Sequence, residues 1–112
     1  MNNTNKTQFN LETISAVWAK AKALWGFDPN KTRQDMAGAR IDWNAYGNTD
    51  SSFGWEIDHQ KPVAKGGGND IANFRPLHWK NNRSKGDNYP IWTAVVTYKD
   101  GYNIHERRTF TR

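Results

Sequence analysis

Residues Trp55 to Asn88 read WEIDHQKPVAKGGGNDIANFRPLHWKNNRSKGDN, and their pattern decides how the chain folds around its chemistry. Phe53, Trp55 and Ile57 alternate with Glu56 and Asp58, which predicts a strand from Phe53 to Asp58 with one apolar face. Pro62 cannot donate into a ladder, so pairing should end near it. Strict alternation would send Asp58 and His59 to opposite faces, and both reach one site only if the strand terminates there. Gly66-Gly67-Gly68 predicts a mobile loop, and Phe74 to Leu77 a short returning strand in which Pro76 marks an edge or an early exit. From about His78 to Lys85 a helix is expected, closed by Gly86 as its C′ residue. The order is strand, loop, strand, helix.

Working outward, residues 1–8 are rich in Asn and Thr and predict a frayed end. Asn10 is a good N-cap, and Phe9 with Ile14 has the spacing of a hydrophobic staple. Leu11, Ile14, Trp18, Ala21 and Trp25 recur at helical spacing and predict a helix over about 11–25, stopped by Gly26. Residues 32–43 stay open between a strand, in which Ala39, Ile41 and Trp43 alternate, and a short helix broken by Gly38. The stretch YGNTDSS reads as a loop. Residues 91–110 predict a hairpin: Ile91 to Tyr98 is rich in β-branched and aromatic residues, Asp100-Gly101 suits a type I′ turn, and Tyr102 to Phe110 returns.

At 112 residues the chain has room for one domain, taken as 1–112. Six Trp, four Tyr and five Phe give a polar sequence the volume for a core, since burying a large aromatic contributes roughly 1.5–3 kcal/mol. With no cysteine, disulfides and Cys-based zinc sites are excluded. The polar start MNNTNKTQFN has no signal-like apolar region and no run is long enough to span a membrane, which points to a cytoplasmic protein, or one exported without a cleaved signal. A net charge of +5, spread along the chain, favours a polyanionic partner.

The same central stretch carries the candidate chemistry. Hydrolysis of a phosphodiester needs an activated water, relief of the charge on the transition state, and help for the departing 3′ oxygen. A neutral imidazole, with an ordinary pKa near 6.5, can take the water's proton, and His59 is the candidate. The Asp58 carboxylate and the Asn82 side-chain oxygen are candidate ligands for a divalent ion. An all-oxygen set of low charge suits Mg²⁺, which keeps several waters, with Mn²⁺ or another divalent ion as the alternative.

Asp58-His59-x-x-Pro62, Asn73, and Asn82-x-x-Lys85-Gly86 in this order resemble the motif of the HNH endonuclease family, of the ββα-metal superfamily. The resemblance covers about 35 residues. It implies an α+β fold with a ββα-metal core over about 53–88, flanked here by the N-terminal helix and the C-terminal β-hairpin. It also implies DNA cleavage with one divalent ion. On that resemblance His59 and Asn73 form the catalytic set, His59 as general base and Asn73 as the brace of the loop that holds the ring. Asp58 and Asn82 hold the metal.

Many members of the family brace the fold with two C-x-x-C pairs around zinc. Here the second pair's positions are His78 and Asn81, so no structural zinc is expected, and Trp55 and Trp79 are the candidate replacement. His78 could join a metal site or cap the helix start. Arg83 and Lys85 are the first candidates for phosphate contacts, followed by Lys61, Lys65 and Arg75. Lys20 and Lys22 read as a solvated face, His105 as a strand residue in water, and Glu56 as a surface carboxylate or a support behind Asp58. DNA is the expected partner, with RNA left open; the sequence leaves the oligomeric state undecided, with a monomer allowed. The competing reading is a non-catalytic nucleic-acid-binding module that keeps the same shape.

Overall fold

The computed structural model describes residues 9–112, so the expectation for residues 1–8 lies outside the described residues. Helix α1 spans Leu11–Trp18, with the Asn10 side chain accepting from the Thr13 amide at 2.8 Å. It ends well before the expected residue 25, and the cause is remote in sequence. The Arg33 guanidinium donates to the carbonyls of Ala19 (3.2 Å), Ala21 (3.0 Å) and Pro29 (2.8 Å), taking acceptors that a longer helix would need. The chain then turns into β1 (Lys22–Ala23), and Trp25 stands 95% exposed instead of joining an apolar stripe.

Strands β2 (Thr32–Gln34) and β3 (Arg40–Asp42) resolve the open stretch as a hairpin, and with β1 they form a three-stranded antiparallel sheet. Its turn is built on Asp35, whose Oδ1 accepts from the amides of Ala37 (3.0 Å) and Ala39 (2.9 Å). A 3₁₀ turn at Trp43–Ala45 leads into the predicted loop.

Strand β4 (Trp55–His59) pairs antiparallel with β5 (Phe74–His78), Trp55 opposite His78 and His59 opposite Phe74. The strand starts at Trp55, not Phe53, because the chain turns at Ser51 to Gly54; a Cβ on Gly54 would lie 1.9 Å from the Asn48 carbonyl oxygen. Helix α2 (Trp79–Lys85) follows at once and is capped by Gly86. The predicted hairpin is present as β6 (Trp92–Lys99) and β7 (Tyr102–Phe110). Asp100 (φ 53°) and Gly101 (φ 91°) both adopt the left-handed conformation that a type I′ turn demands.

The register sorts the side chains. Trp55, Ile57 and Phe74 join Val17, Trp18 and Ile41 in one cluster, where Trp55 is fully buried and lies 5.3 Å from Trp18, ring centre to ring centre. On the other face Leu77 joins Ala37, Trp92 and Ala94 beneath the hairpin. The β4–β5 pair is therefore clamped between two apolar clusters, and α2 packs over the face that carries Glu56 and Asp58. The result is an α+β fold.

Candidate active site

Asp58 is nearly buried, at 5% exposure, and does not stand alone. Its Oδ2 takes Arg75 Nε at 3.0 Å and its Oδ1 takes Lys85 Nζ at 3.2 Å. Burial pushes the Asp58 carboxyl above its ordinary value, while Lys85 and Arg75 pull it back down. Lys85 itself is fully buried, and its Nζ also donates to the His59 carbonyl at 3.1 Å. One ammonium therefore ties α2 to the end of β4. The sequence expectation is that Lys85 and Arg75 present charge to a phosphate; Lys85 is fully buried and does not, while Arg75 commits Nε to Asp58 and keeps Nη1 uncommitted. Both point inward to Asp58, because a carboxylate in that position needs partners to be tolerated.

His59 closes β4. By register its side chain lies on the Phe74 face, where the two rings meet edge to face at 5.0 Å, and Asp58 points to the other face. The strand does terminate at His59, so the two side chains flank the strand end. The His59 ring is held by a residue that the sequence reading missed: Nε2 lies 2.7 Å from Asn69 Oδ1. An amide oxygen can only accept, so in the neutral ring this contact makes Nε2 the donor and leaves Nδ1 as the unprotonated nitrogen. Asn69 ends the glycine run, and only its proximity to that loop in sequence could have drawn attention to it.

Asn73 does at the loop what few side chains can. Its Oδ1 accepts from the Lys61 amide, and its Nδ2 donates to the carbonyls of Lys61 and Gly68, all at 2.9 Å. The loop is drawn so tight that a Cβ on Gly67 would sit 1.7 Å from the Lys61 carbonyl oxygen. The 3₁₀ turns Val63–Lys65 and Ile71–Asn73 flank it, so the predicted mobile loop is a bonded one. Lys61 and Lys65 project from it into solvent.

Asn82 lies half-buried on α2, three residues before Lys85 and on the same side of the helix. Its Nδ2 donates to Glu56 Oε1 at 2.9 Å, and Arg83 Nη2 reaches Glu56 Oε2 at 2.9 Å. Glu56 thereby fixes which way the Asn82 amide faces, and Asn82 Oδ1 has no hydrogen-bond partner among the described residues. Arg83 stays largely exposed, at 57% of its side chain.

The two positions where zinc-binding members of the resembled motif carry cysteines, His78 and Asn81, are polar and nearly sealed from water. His78 Nδ1 accepts from the Lys80 amide at 3.1 Å and Nε2 meets the Ser52 carbonyl at 2.8 Å, so this ring caps α2. Burial holds His78 below its ordinary pKa. Asn81 Oδ1 accepts from the amides of Val95 (2.8 Å) and Val96 (2.9 Å), while Nδ2 donates to the Val96 carbonyl and Asp35 Oδ2, both at 3.0 Å. Asp35 Oδ2 also takes the His78 amide at 2.9 Å. Burial raises the Asp35 carboxyl, and the N–H donors of Asn81, His78 and Ala39 oppose that rise. This polar clamp ties α2 to the β2–β3 turn and to β6 at its bulge, where the register shifts between Ala94 and Val96. The tryptophans add to it, since Trp79 Nε1 donates to the Ser51 carbonyl at 2.9 Å.

Among the described residues no group of three or more His, Cys, Asp or Glu side chains converges as a metal cage would. The same face of β4 carries Glu56, which orients the Asn82 amide, and Asp58, whose carboxylate oxygens each take one cationic donor.

Residues 47–88 of the chain match the HNH endonuclease family. The segment belongs to that family. Comparisons with curated proteins and with solved structures found no match. The HNH segment takes in β4, β5 and α2 with the loops around them, and so contains each of the side chains described above except Asp35 and the hairpin residues. Membership points to nuclease-type activity on nucleic acid, in a family that generally uses a divalent metal ion. No helix of the described residues is long and apolar enough to cross a membrane.

Proposed function

We propose that β4, β5 and α2 form a ββα-metal core that hydrolyses phosphodiester bonds in DNA. The observation that carries this reading is the contact of His59 Nε2 with Asn69 Oδ1 at the end of β4; in the neutral ring it leaves Nδ1 to take a proton. An imidazole so oriented accepts the proton of an attacking water without first having to reorganise. Asn73 ties the loop after His59 and so keeps the ring where the strand ends. Asn82 and Asp58 are the ligands for one divalent ion, with Mg²⁺ the first choice and Mn²⁺ the alternative. When bound, that ion supplies charge stabilisation at the phosphate and at the departing oxygen. Lys85 and Arg75 already balance much of the charge on Asp58, so affinity for the free ion is weak and rises when a phosphate joins the shell. Exposed Arg83, Lys61 and Lys65 position the backbone without reading bases.

Supercoiled plasmid with Mg²⁺ tests the proposal. Wild type should nick it, and His59→Ala should lose nicking while retaining salt-sensitive DNA binding. A second reading, a non-catalytic nucleic-acid-binding module, draws on the closure of Asp58 by Arg75 and Lys85. It prevails if wild type binds DNA but stays inert with Mg²⁺, Mn²⁺ and Ni²⁺ alike.

A further inference from the structure

Arg75 also lines a second feature, a cleft of about 420 Å³ between the end of α1, the β1–β2 edge, β5 and Arg112. Four of its lining residues are cations: Lys20, Lys22, Arg75 and Arg112. Among the described residues Lys20, Lys22 and Arg112 form no ion pair, and Arg75 spends Nε on Asp58. The one lining side-chain carboxylate, Asp35, is buried and already takes N–H donors on both oxygens, and the main-chain oxygen of Arg112 is taken by Arg75 Nη2 and Trp92 Nε1. The Lys22 ammonium and the Arg112 guanidinium are therefore left without an acidic side-chain partner among the described residues.

Two of the four cations are also held in place. Lys20 Nζ donates to the Phe74 carbonyl at 2.7 Å and to the Ile71 carbonyl, which fixes the ammonium and leaves its charge intact. Arg75, nine-tenths buried, donates Nη2 to the Arg112 carbonyl at 3.0 Å, and its Nη1 has no acceptor among the described residues. Held cations lose little further entropy when an anion arrives, and a guanidinium edge matches phosphate oxygens.

We propose that this cleft is a phosphate-binding subsite for a backbone phosphate of the nucleic acid, away from the bond that is cut. The identity of the ligand rests on the nuclease reading; the anion site itself does not. Arg75 is the shared wall, so strand path and Asp58 are joined through one side chain. Neither Lys22 nor Arg112 lies in the HNH segment.

The test is anisotropy of a labelled DNA duplex in EDTA, measured over a range of salt, with wild type, Lys22→Gln, Arg112→Gln and the double variant. Removing one cation from the phosphate should flatten the slope of log K against log salt by about 0.9, and the double variant should flatten it by about twice that. NMR titration with inorganic phosphate should shift the Lys22 and Gln34 amides in wild type and not in the double variant. Unchanged salt slopes in folded variants, with no phosphate shifts in wild type, overturn the subsite. Phosphate shifts without any change in DNA slope overturn its assignment to nucleic acid and leave a small-anion site. Because the binding is read in EDTA, failure of cleavage would sink the nuclease reading and leave these outcomes readable.

Discussion

Asn81→Ala should destabilise this domain strongly. Asn81 is fully buried and its amide makes four hydrogen bonds, to the amides of Val95 and Val96, the Val96 carbonyl and Asp35. Alanine leaves three main-chain groups without partners and strips a donor from a buried carboxylate. A buried unsatisfied polar group costs about 1–3 kcal/mol, so the low end for each main-chain group gives a loss of about 3 kcal/mol. That is a large part of the roughly 5–15 kcal/mol that holds a domain together. Urea unfolding followed by tryptophan fluorescence reads it directly. With a slope of about 1–3 kcal/mol per molar urea, the midpoint should fall by one molar or more. A loss under about 1 kcal/mol would mean that water or a local shift satisfies those groups, and would refute the claim that this clamp braces α2.

Other expectations follow from the same geometry. Gly67→Ala places a Cβ 1.7 Å from the Lys61 carbonyl oxygen; thermal melts should show a loss of about 2 kcal/mol or more, since the backbone has to move. Asn69→Leu should slow nicking by about tenfold or more and change the shape of its pH profile, while stability changes little. His78, held below its ordinary value by burial, contributes stability that is full above about pH 6.5 and is lost as pH falls through its folded value, because the unfolded chain then binds more protons. Between pH 7.5 and 5 the urea midpoint should therefore fall further for wild type than for His78→Gln. Trp25→Ala, at a side chain 95% exposed, should change stability by no more than about 0.5 kcal/mol.

Where local chemistry decides a conformation, the sequence announces it. Asp100-Gly101 specifies its turn by the φ angles that those residues tolerate, Asn10 marks the start of α1, and Gly86 the end of α2. The alternation around Trp55 likewise shows which side faces the core. What stayed hidden depends on partners distant in the chain. Arg33 ends α1 by taking carbonyls 12 and 14 residues away, which no helical periodicity around Trp25 could reveal. The inward turn of Lys85 and Arg75 follows from the burial of Asp58, and a basic residue beside a motif carries no mark of which way it faces. Asn69 and Glu56 acquire their contacts only when the loop folds back and when α2 settles on β4. The motif thus offered His59, Asn73, Asp58 and Asn82 as candidates, and the side chains that orient His59 and Asn82 emerged only from the fold.

The most direct test of the central claim is the chemistry of the cut ends. Supercoiled plasmid treated with wild type and Mg²⁺ should give nicked circles that DNA ligase reseals, because attack by water with departure of the 3′ oxygen leaves a 3′ hydroxyl beside a 5′ phosphate. Plasmid that remains supercoiled, or nicks that ligase cannot close, would contradict the account.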